Sequence, residues 1–256
     1  MRWRGGRLPA VALATVAPLA LGGCLGVETT QDKSAKRSKL AATRIAHQKG
    51  LKIGRSNPHI KVEQSAVVQD PNGVAAVVLV RNTGDTQVAL PVAITVADAK
   101  GKKLYANDTP GLDKSLVTLP VLRKGEQAYW VNNQILVAGK AQKVDAVVGA
   151  AGSRAGGEIP RIVISGLKVG RDADGVYAGG TVRNESAVPQ RRLVVSCVAR
   201  QGNELRAAGR AIIDRLLPAA GEKKPTTFTV YFIGDPKGAP LHCAAPPTDL
   251  PGGAAK

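Results

Sequence analysis

The sequence predicts an all-β fold, with two tandem β-sandwiches behind a signal peptide and a flexible basic tether. Three observations predict it. Beyond the tether the chain runs in short stretches of Val, Ile and Leu, broken by Gly, Pro, Asn and Asp at intervals of roughly ten residues, the punctuation of a sandwich. No long helical period of apolar residues follows the amino-terminal segment. The second half of the chain also repeats the first, in order and in spacing.

The amino terminus reads as an export signal. Arg2, Arg4 and Arg7 precede an uncharged stretch, 8–21, of Ala, Val and Leu with Pro9 and Pro18. That stretch is roughly fourteen residues long, short of the ~20 that a helix needs to cross a bilayer, so a cleaved signal is expected rather than a permanent span. Leu21-Gly22-Gly23-Cys24 closes it: a branched apolar residue, two small residues and a cysteine.

This tetrapeptide resembles the lipobox of bacterial lipoproteins. The resemblance implies cleavage before Cys24, a thioether-linked diacylglyceryl group on its sulfur and usually an acyl chain such as palmitate on the freed amine. The mature protein would then sit on the outer, extracytoplasmic face of the cell membrane. Each buried CH₂ contributes about 0.8 kcal/mol, and one chain alone holds only reversibly, so multiple chains make a firm anchor.

Charge is the next feature. The chain carries 36 Lys and Arg against 19 Asp and Glu. Removing the signal takes away three Arg and no acid, so the net charge falls from +17 to +14. Such a balance favours anionic partners through forces that salt screens. For an exported chain these are phospholipid headgroups, wall polymers or envelope proteins, not nucleic acid. The excess concentrates in 29–57, where Lys33, Lys36, Arg37, Lys39, Arg44, Lys49, Lys52 and Arg55 face Asp32 alone. These eight are the candidate polyanion-binding residues. As a flexible coil this tether would span about 30 Å. Lying on an anionic surface, it would gain about 1 kcal/mol per cation. A short basic helix over 36–49 has only Leu40, Ile45 and scattered Ala for an apolar face, so a solvated linker is the better reading.

About 200 residues follow, enough for two domains near 90 residues each. Aromatics are 3% of the chain, so the cores must be built from small branched side chains. Expected strands are 60–68, 74–81, 92–97, 127–135 and 143–148 in the first half. In the second they are 161–169, 176–183, 191–199, 205–213, 226–233 and 241–244. The repeat aligns Val80-Arg81-Asn82-Thr83 with Val182-Arg183-Asn184-Glu185, and Ile94-Thr95-Val96 with Val195-Ser196-Cys197. It continues with Gly101-Lys102-Lys103-Leu104 on Gly202-Asn203-Glu204-Leu205, and with Leu119-Pro120 and Gly125-Glu126 on Leu217-Pro218 and Gly221-Glu222. A last strand follows in each half, with Trp130 in one and Phe228 and Phe232 in the other.

The strand ending in Val-x-Asn, the alternating strand, the polar turn with Gly and the Leu-Pro…Gly-Glu run resemble the FxLYD-type and related immunoglobulin-like domains of bacterial lipoproteins. The resemblance covers about 58–149 and 160–247, and it implies binding or spacing modules of immunoglobulin-like fold; fold alone does not fix function. The expected organisation is signal peptide 1–23, lipidated tether 24–57, first sandwich 58–149, linker 150–159, second sandwich 160–247 and flexible tail 248–256.

With Cys24 taken by lipid, Cys197 and Cys243 remain, an even pair in an oxidising compartment, and a disulfide is expected. Cys197 shares the inward face of Leu193, Val195 and Ala199. Closing a loop of roughly 47 residues contributes about 4 kcal/mol in the chain-entropy model. His242 beside Cys243 is half a metal site at most, and no metal or cofactor is expected; His47 and His59 read as surface residues. The sequence carries no Gly-x-Ser-x-Gly, His-Glu-x-x-His, phosphate-loop or dinucleotide motif, so no catalytic residue is assigned and a non-enzyme is expected. Asp172 and Asp174 read as a turn rather than a calcium loop. Arg191 and Arg192, with Arg183, make either a small basic spot or exposed charges that block strand pairing. Tyr129 and Trp130 must point to opposite faces of their strand, one of them outward.

Overall fold

In the computed structural model, residues 50–155, 157–221 and 225–252 are described. The first half contains β1 (Ile60–Asp70), β2 (Gly73–Asn82), β3 (Gln87–Ala97), β4 (Lys103–Ala106), a 3-10 turn at Lys114–Leu116, β5 (Thr118–Leu122), β6 (Gln127–Ile135) and β7 (Lys143–Val148). A two-residue strand, β8 (Ser153–Arg154), follows. The second half contains β9 (Ile162–Asp172), β10 (Gly175–Asn184), β11 (Gln190–Gln201), β12 (Glu204–Leu216), a 3-10 turn at Ala219–Gly221, β13 (Thr226–Tyr231), β14 (Ile233–Gly234) and β15 (Leu241–Ala244). All ladders between these strands are antiparallel, and the all-β sandwich expectation holds.

Both halves have one topology. A sheet β1-β2-β6 faces a sheet centred on β3, and a sheet β9-β10-β13 faces the sheet β14-β12-β11-β15. The opening hairpins superpose rung for rung: Ile60 pairs Asn82 and Asp70 pairs Gly73, as Ile162 pairs Asn184 and Asp172 pairs Gly175. Gly73 and Gly175 both have positive φ, 143° and 134°, which the tight turn between the strands requires. In each hairpin the first strand carries one extra residue, near Glu63 and near Gly166.

The conserved asparagine of the repeat is structural. Asn82 is fully buried; its Nδ2 donates to the carbonyls of Asp85 (2.8 Å) and Leu122 (3.0 Å), and its Oδ1 accepts from the Gly84 amide. Asn184, equally buried, donates to the Val188 carbonyl and accepts from the amide and hydroxyl of Ser186. In both halves a strand-to-strand loop is thus closed over a core where water cannot satisfy its backbone.

The cores follow the alternation. Leu90, Val92, Ile94 and Val96 of β3 point inward with Trp130, and Leu193, Val195, Cys197 and Ala199 of β11 do the same with Phe228 and Phe232. The rungs also refine the repeat. Gln87 pairs Leu122 as Gln190 pairs Leu216, which places Ile94 on Cys197, two residues from the match by sequence, and separates Leu119-Pro120 from Leu217-Pro218. Cys197 and Cys243 then occupy the rung that Ile94 and Ala146 hold in the first half, and they are disulfide-bonded at a Cα–Cα distance of 4.1 Å. The second half has Cys and Ala where the first has Ile and Val, and the covalent link offsets the smaller core.

One asymmetry matters. β12 runs unbroken beside β11, whereas the first half splits the same strand into β4 and β5 with residues 107–117 between them. The buried Asn107 repairs the gap by accepting from the Ile94 amide (2.7 Å) and donating to the Val92 and Leu116 carbonyls, both at 2.8 Å. Asn107 thus supplies the partners that a paired strand would give the Ile94 amide and the Val92 carbonyl.

The two sandwiches meet through a third apolar cluster. Ala75, Val77 and Val131, on the outer face of β2 and β6, pack on Val198, Ala208 and Ile233, with Val68, Tyr129 and Leu205 at the margins. Gly234 is required here: a Cβ would lie 2.4 Å from the Arg206 carbonyl oxygen and 2.5 Å from Val68, and its φ is 89°.

Three expected boundaries shift. Ser56 bridges Gly149 and Asn57 is buried, donating to Gln87 and Gly149, so the tether joins the first sandwich before residue 58. Within the expected linker, Ser153 and Arg154 pair with Val88 and Gln87, satisfying the edge of β3. The expected tail is held at its start, where the amides of Thr248 and Asp249 donate to the buried Gln190 Oε1.

Replacing Asn82 or Asn184 by Ala strands buried backbone groups and should cost about 2 kcal/mol each. Urea denaturation followed by circular dichroism checks this, and a loss under about 0.5 kcal/mol would contradict the assigned role.

Candidate functional site

The insertion 107–117 carries Asp113 and Ser115 from the first sandwich to the second. Asp113 accepts from the Ser115 amide (2.9 Å) and hydroxyl and forms an ion pair with Arg192 of β11. Ser115 Oγ in turn accepts from Arg210 Nη2. Arg210 is on β12, two residues from Ala208, and is 8% exposed; its Nε and Nη1 have no hydrogen-bond partner. Burial lowers the Arg210 pKa, with the neighbouring Asp113 opposing that effect. For Asp113, burial alone would raise the pKa, but the Ser115 hydroxyl and amide together with Arg192 outweigh it and hold the carboxyl below its ordinary value. A carboxylate so held is a weak base, suited to clamping guanidinium groups rather than to removing protons.

This cluster borders a cleft of about 260 Å³ at the junction, lined also by Val88, Ala89, Thr118, Pro120, Val194 and Thr248. Two of its lining residues are non-glycine residues in the left-handed region: Ala89, with φ 54°, and Arg192, with φ 49°. They are equivalent positions of the repeat, each following its Gln by two residues and preceding a fully buried leucine, Leu90 or Leu193. Each strained backbone costs roughly 1–3 kcal/mol, and the conformation is set in both halves by the opposing ladder. The cleft thus combines two arginines paired with acids of its own lining, Arg191 with Asp249 and Arg192 with Asp113, with hydroxyls and a short apolar wall. A larger opening of about 460 Å³ at the other end of the junction is of mixed charge, with Asp70, Glu204 and Asp235 beside Arg171, Arg206 and Lys237. Its charges are largely matched internally: Arg171 pairs Asp235, Arg206 pairs Glu204, and Asp70 accepts from the Gly234 amide.

The residues singled out in the sequence divide as follows. Cys24, Lys33, Lys36, Arg37, Lys39, Arg44 and Lys49 lie outside the described residues, as do the signal peptide, His47 and Glu222; Lys52 and Arg55 are exposed. Arg191 and Arg192 do not form a spot with Arg183. They start β11 and pair with Asp249 and Asp113, while Arg183 is exposed on β10. Asp172 caps its turn by accepting from the amides of Asp174 and Gly175. Trp130 is the inward aromatic, and Tyr129 points to the second sandwich, where its hydroxyl accepts from Arg200 Nη1 (2.6 Å). His242 is exposed near that ring, 6.3 Å between centroids. Asp113, Ser115 and Arg210 were missed by sequence reasoning. The longer spacing between the Gly-turn and the Leu-Pro motif in the first half was the available signal.

No protein-family model matches the chain, and no curated protein matches it significantly. The likeness to FxLYD-type domains therefore rests on the motifs alone.

Asp113 has a folded pKa below its unfolded value of about 3.9, so its contribution is complete above that value and is lost as pH falls through the folded pKa. Asp113→Asn should lower the urea midpoint at pH 7, and its difference from the parent should shrink as pH falls below the ordinary carboxylate range. Equal midpoints at pH 7 would contradict the clamp.

Proposed function

We propose that the protein is a lipid-anchored, exported envelope protein that binds or scaffolds without catalysis, held by Cys24 and contacting anionic lipid or wall polymer through its basic tether. The observation that carries this reading is the order of features along the chain. An export signal ends in Leu21-Gly22-Gly23-Cys24, a tether with eight cations against Glu28 and Asp32 follows, and two sandwiches packed together come last. Lipid fixes one end, the tether keeps its cations within reach of the surface, and the sandwiches stand beyond it. A tether of this charge gains its affinity from ions near the surface, so the contact weakens once salt shortens the screening length to about 8 Å and below.

A second reading is an assembly subunit or passive spacer that docks on another envelope protein. The junction cleft favours it, since Ala89 and Arg192 hold strained backbones on a surface open to a partner.

Three measurements test these. Binding to vesicles containing anionic phospholipid should fall at least tenfold between low and physiological salt, and replacing the tether cations by Gln should remove it. Salt-independent binding, or binding unchanged by the tether variant, would contradict the tether's role. In cells, Cys24→Ala should release the protein from the membrane or leave the signal attached. Crosslinking that traps one abundant protein neighbour through the junction cleft would favour the assembly reading.

A further inference from the structure

The duplicated fold offers one face twice, in two different states. In the first sandwich the outer face of β1-β2-β6 is sealed by the junction, with Ala75, Val77 and Val131 buried in it. In the second, no described residue covers the same face of β9-β10-β13. At the equivalent positions it carries Tyr177, Gly179 and Thr229. A face kept for another sandwich would have stayed apolar; this one has exchanged methyl groups for an aromatic ring, a bare backbone and a hydroxyl.

The register orders these groups in rows across the three strands. Tyr231, Tyr177 and Gly170 share one row, Thr229, Gly179 and Lys168 the next, and Thr227, Thr181 and Ser165 a third. Tyr177 leans over Gly170, where a Cβ would come within 2.4 Å of its ring, so the half-buried ring lies low across the sheet. Tyr231 meets it edge-on at 5.7 Å and 66°, and is itself fixed by donating its hydroxyl to Asp172 (2.8 Å). That bond, first among its causes, pushes the Tyr231 pKa up to about 12. Ser165 and Thr181 hydroxyls lie 2.9 Å apart in the third row. Lys168 and Arg183 are exposed on this face and neither is in an ion pair among the described residues; the acids at its turn end, Asp172 and Asp174, lie by Tyr231, whose hydroxyl donates to Asp172.

We propose that this open face binds an acidic polysaccharide, its sugar rings stacked on Tyr177 and Tyr231 over a flat floor at Gly179, and its acid groups met by Lys168 and Arg183. The parts match the ligand class one by one. A pyranose ring offers an apolar C–H face to an aromatic ring and hydroxyls around its edge to Ser and Thr. A protein surface would bring its own side chains and need a shaped apolar patch, whereas a sugar chain lies well on a flat one. The unpaired cations select acidic polymers over neutral ones. The proposal deepens the wall-polymer reading above but uses a different surface from the tether, so the two can fail separately.

The test uses the whole mature chain with polygalacturonate as the acidic probe and dextran as the neutral one, at 0.15 M and 0.5 M salt. Wild-type protein should bind polygalacturonate more tightly than dextran and keep measurable binding at the higher salt, where the tether's share is screened. Tyr177→Ala should weaken both polymers about tenfold, in the range of one aromatic contact. Lys168→Gln with Arg183→Gln should weaken polygalacturonate alone. Gly179→Ala adds a Cβ that meets no atom nearer than 3.6 Å; it should raise the floor and weaken binding with an unchanged circular dichroism spectrum. Tyr231→Phe keeps the ring but frees the Asp172 carboxylate, and should weaken polygalacturonate more than dextran. Full binding by the face variants, with loss only when the tether cations are replaced, would overturn this inference and leave the tether reading standing. Failure of the wild-type chain to bind either polymer would overturn it as well.

Discussion

The structure depends on one apolar contact, the seam in which Ala75, Val77 and Val131 of the first sandwich meet Val198, Ala208 and Ile233 of the second. Each sandwich has its own core, yet the outer face of β2 and β6 is too apolar to stand in water alone. Covering it fixes the second sandwich in place and brings everything else at the junction within reach. Tyr129 can then accept from Arg200, Asp70 can accept from the Gly234 amide, and the insertion loop can set Asp113 and Ser115 against Arg192 and Arg210. The polar contacts at the junction orient the two bodies. The seam supplies the driving force, at about 25 cal/mol per Å² of apolar surface removed from water.

The two halves diverge where the seam makes them inequivalent. The first half, whose β1-β2-β6 face is covered, keeps small and branched residues there and extends its 107–117 loop toward the neighbour. The second half loses that loop, runs β12 unbroken, and replaces an apolar core rung with the Cys197–Cys243 disulfide. Its own β9-β10-β13 face, left open, carries tyrosines, threonines and glycines instead. Duplication thus yields one face for assembly and one free for another use.

Much of the fold was legible in the sequence, and the reasons are specific. The period-two burial of Leu90, Val92, Ile94 and Val96, and of their counterparts through Cys197, is an alternation that only strands produce. Asn82 and Asn184 stood out because a buried amide closing a loop permits few substitutes. β5 was not legible: it is five residues long with Pro120 inside it, a pattern that fits a loop as well as an edge strand. The seam was hidden for a different reason. An outward-facing Val77 in a sheet reads as core, and nothing local distinguishes burial within a sandwich from burial between two. The clamp was illegible for the same cause, since Asp113 and Arg210 are far apart in sequence and meet only through the seam.

The most direct test of the central claim, that the seam couples the two sandwiches, uses Trp130, the one tryptophan after Trp3 and a core residue of the first sandwich. Reducing Cys197–Cys243 weakens only the second sandwich, which lies across the seam. Urea unfolding followed by Trp130 fluorescence should therefore shift to a lower midpoint on reduction, in step with circular dichroism. A Trp130 transition that stays fixed while circular dichroism splits into two steps would contradict it, showing two sandwiches that fold without regard to each other.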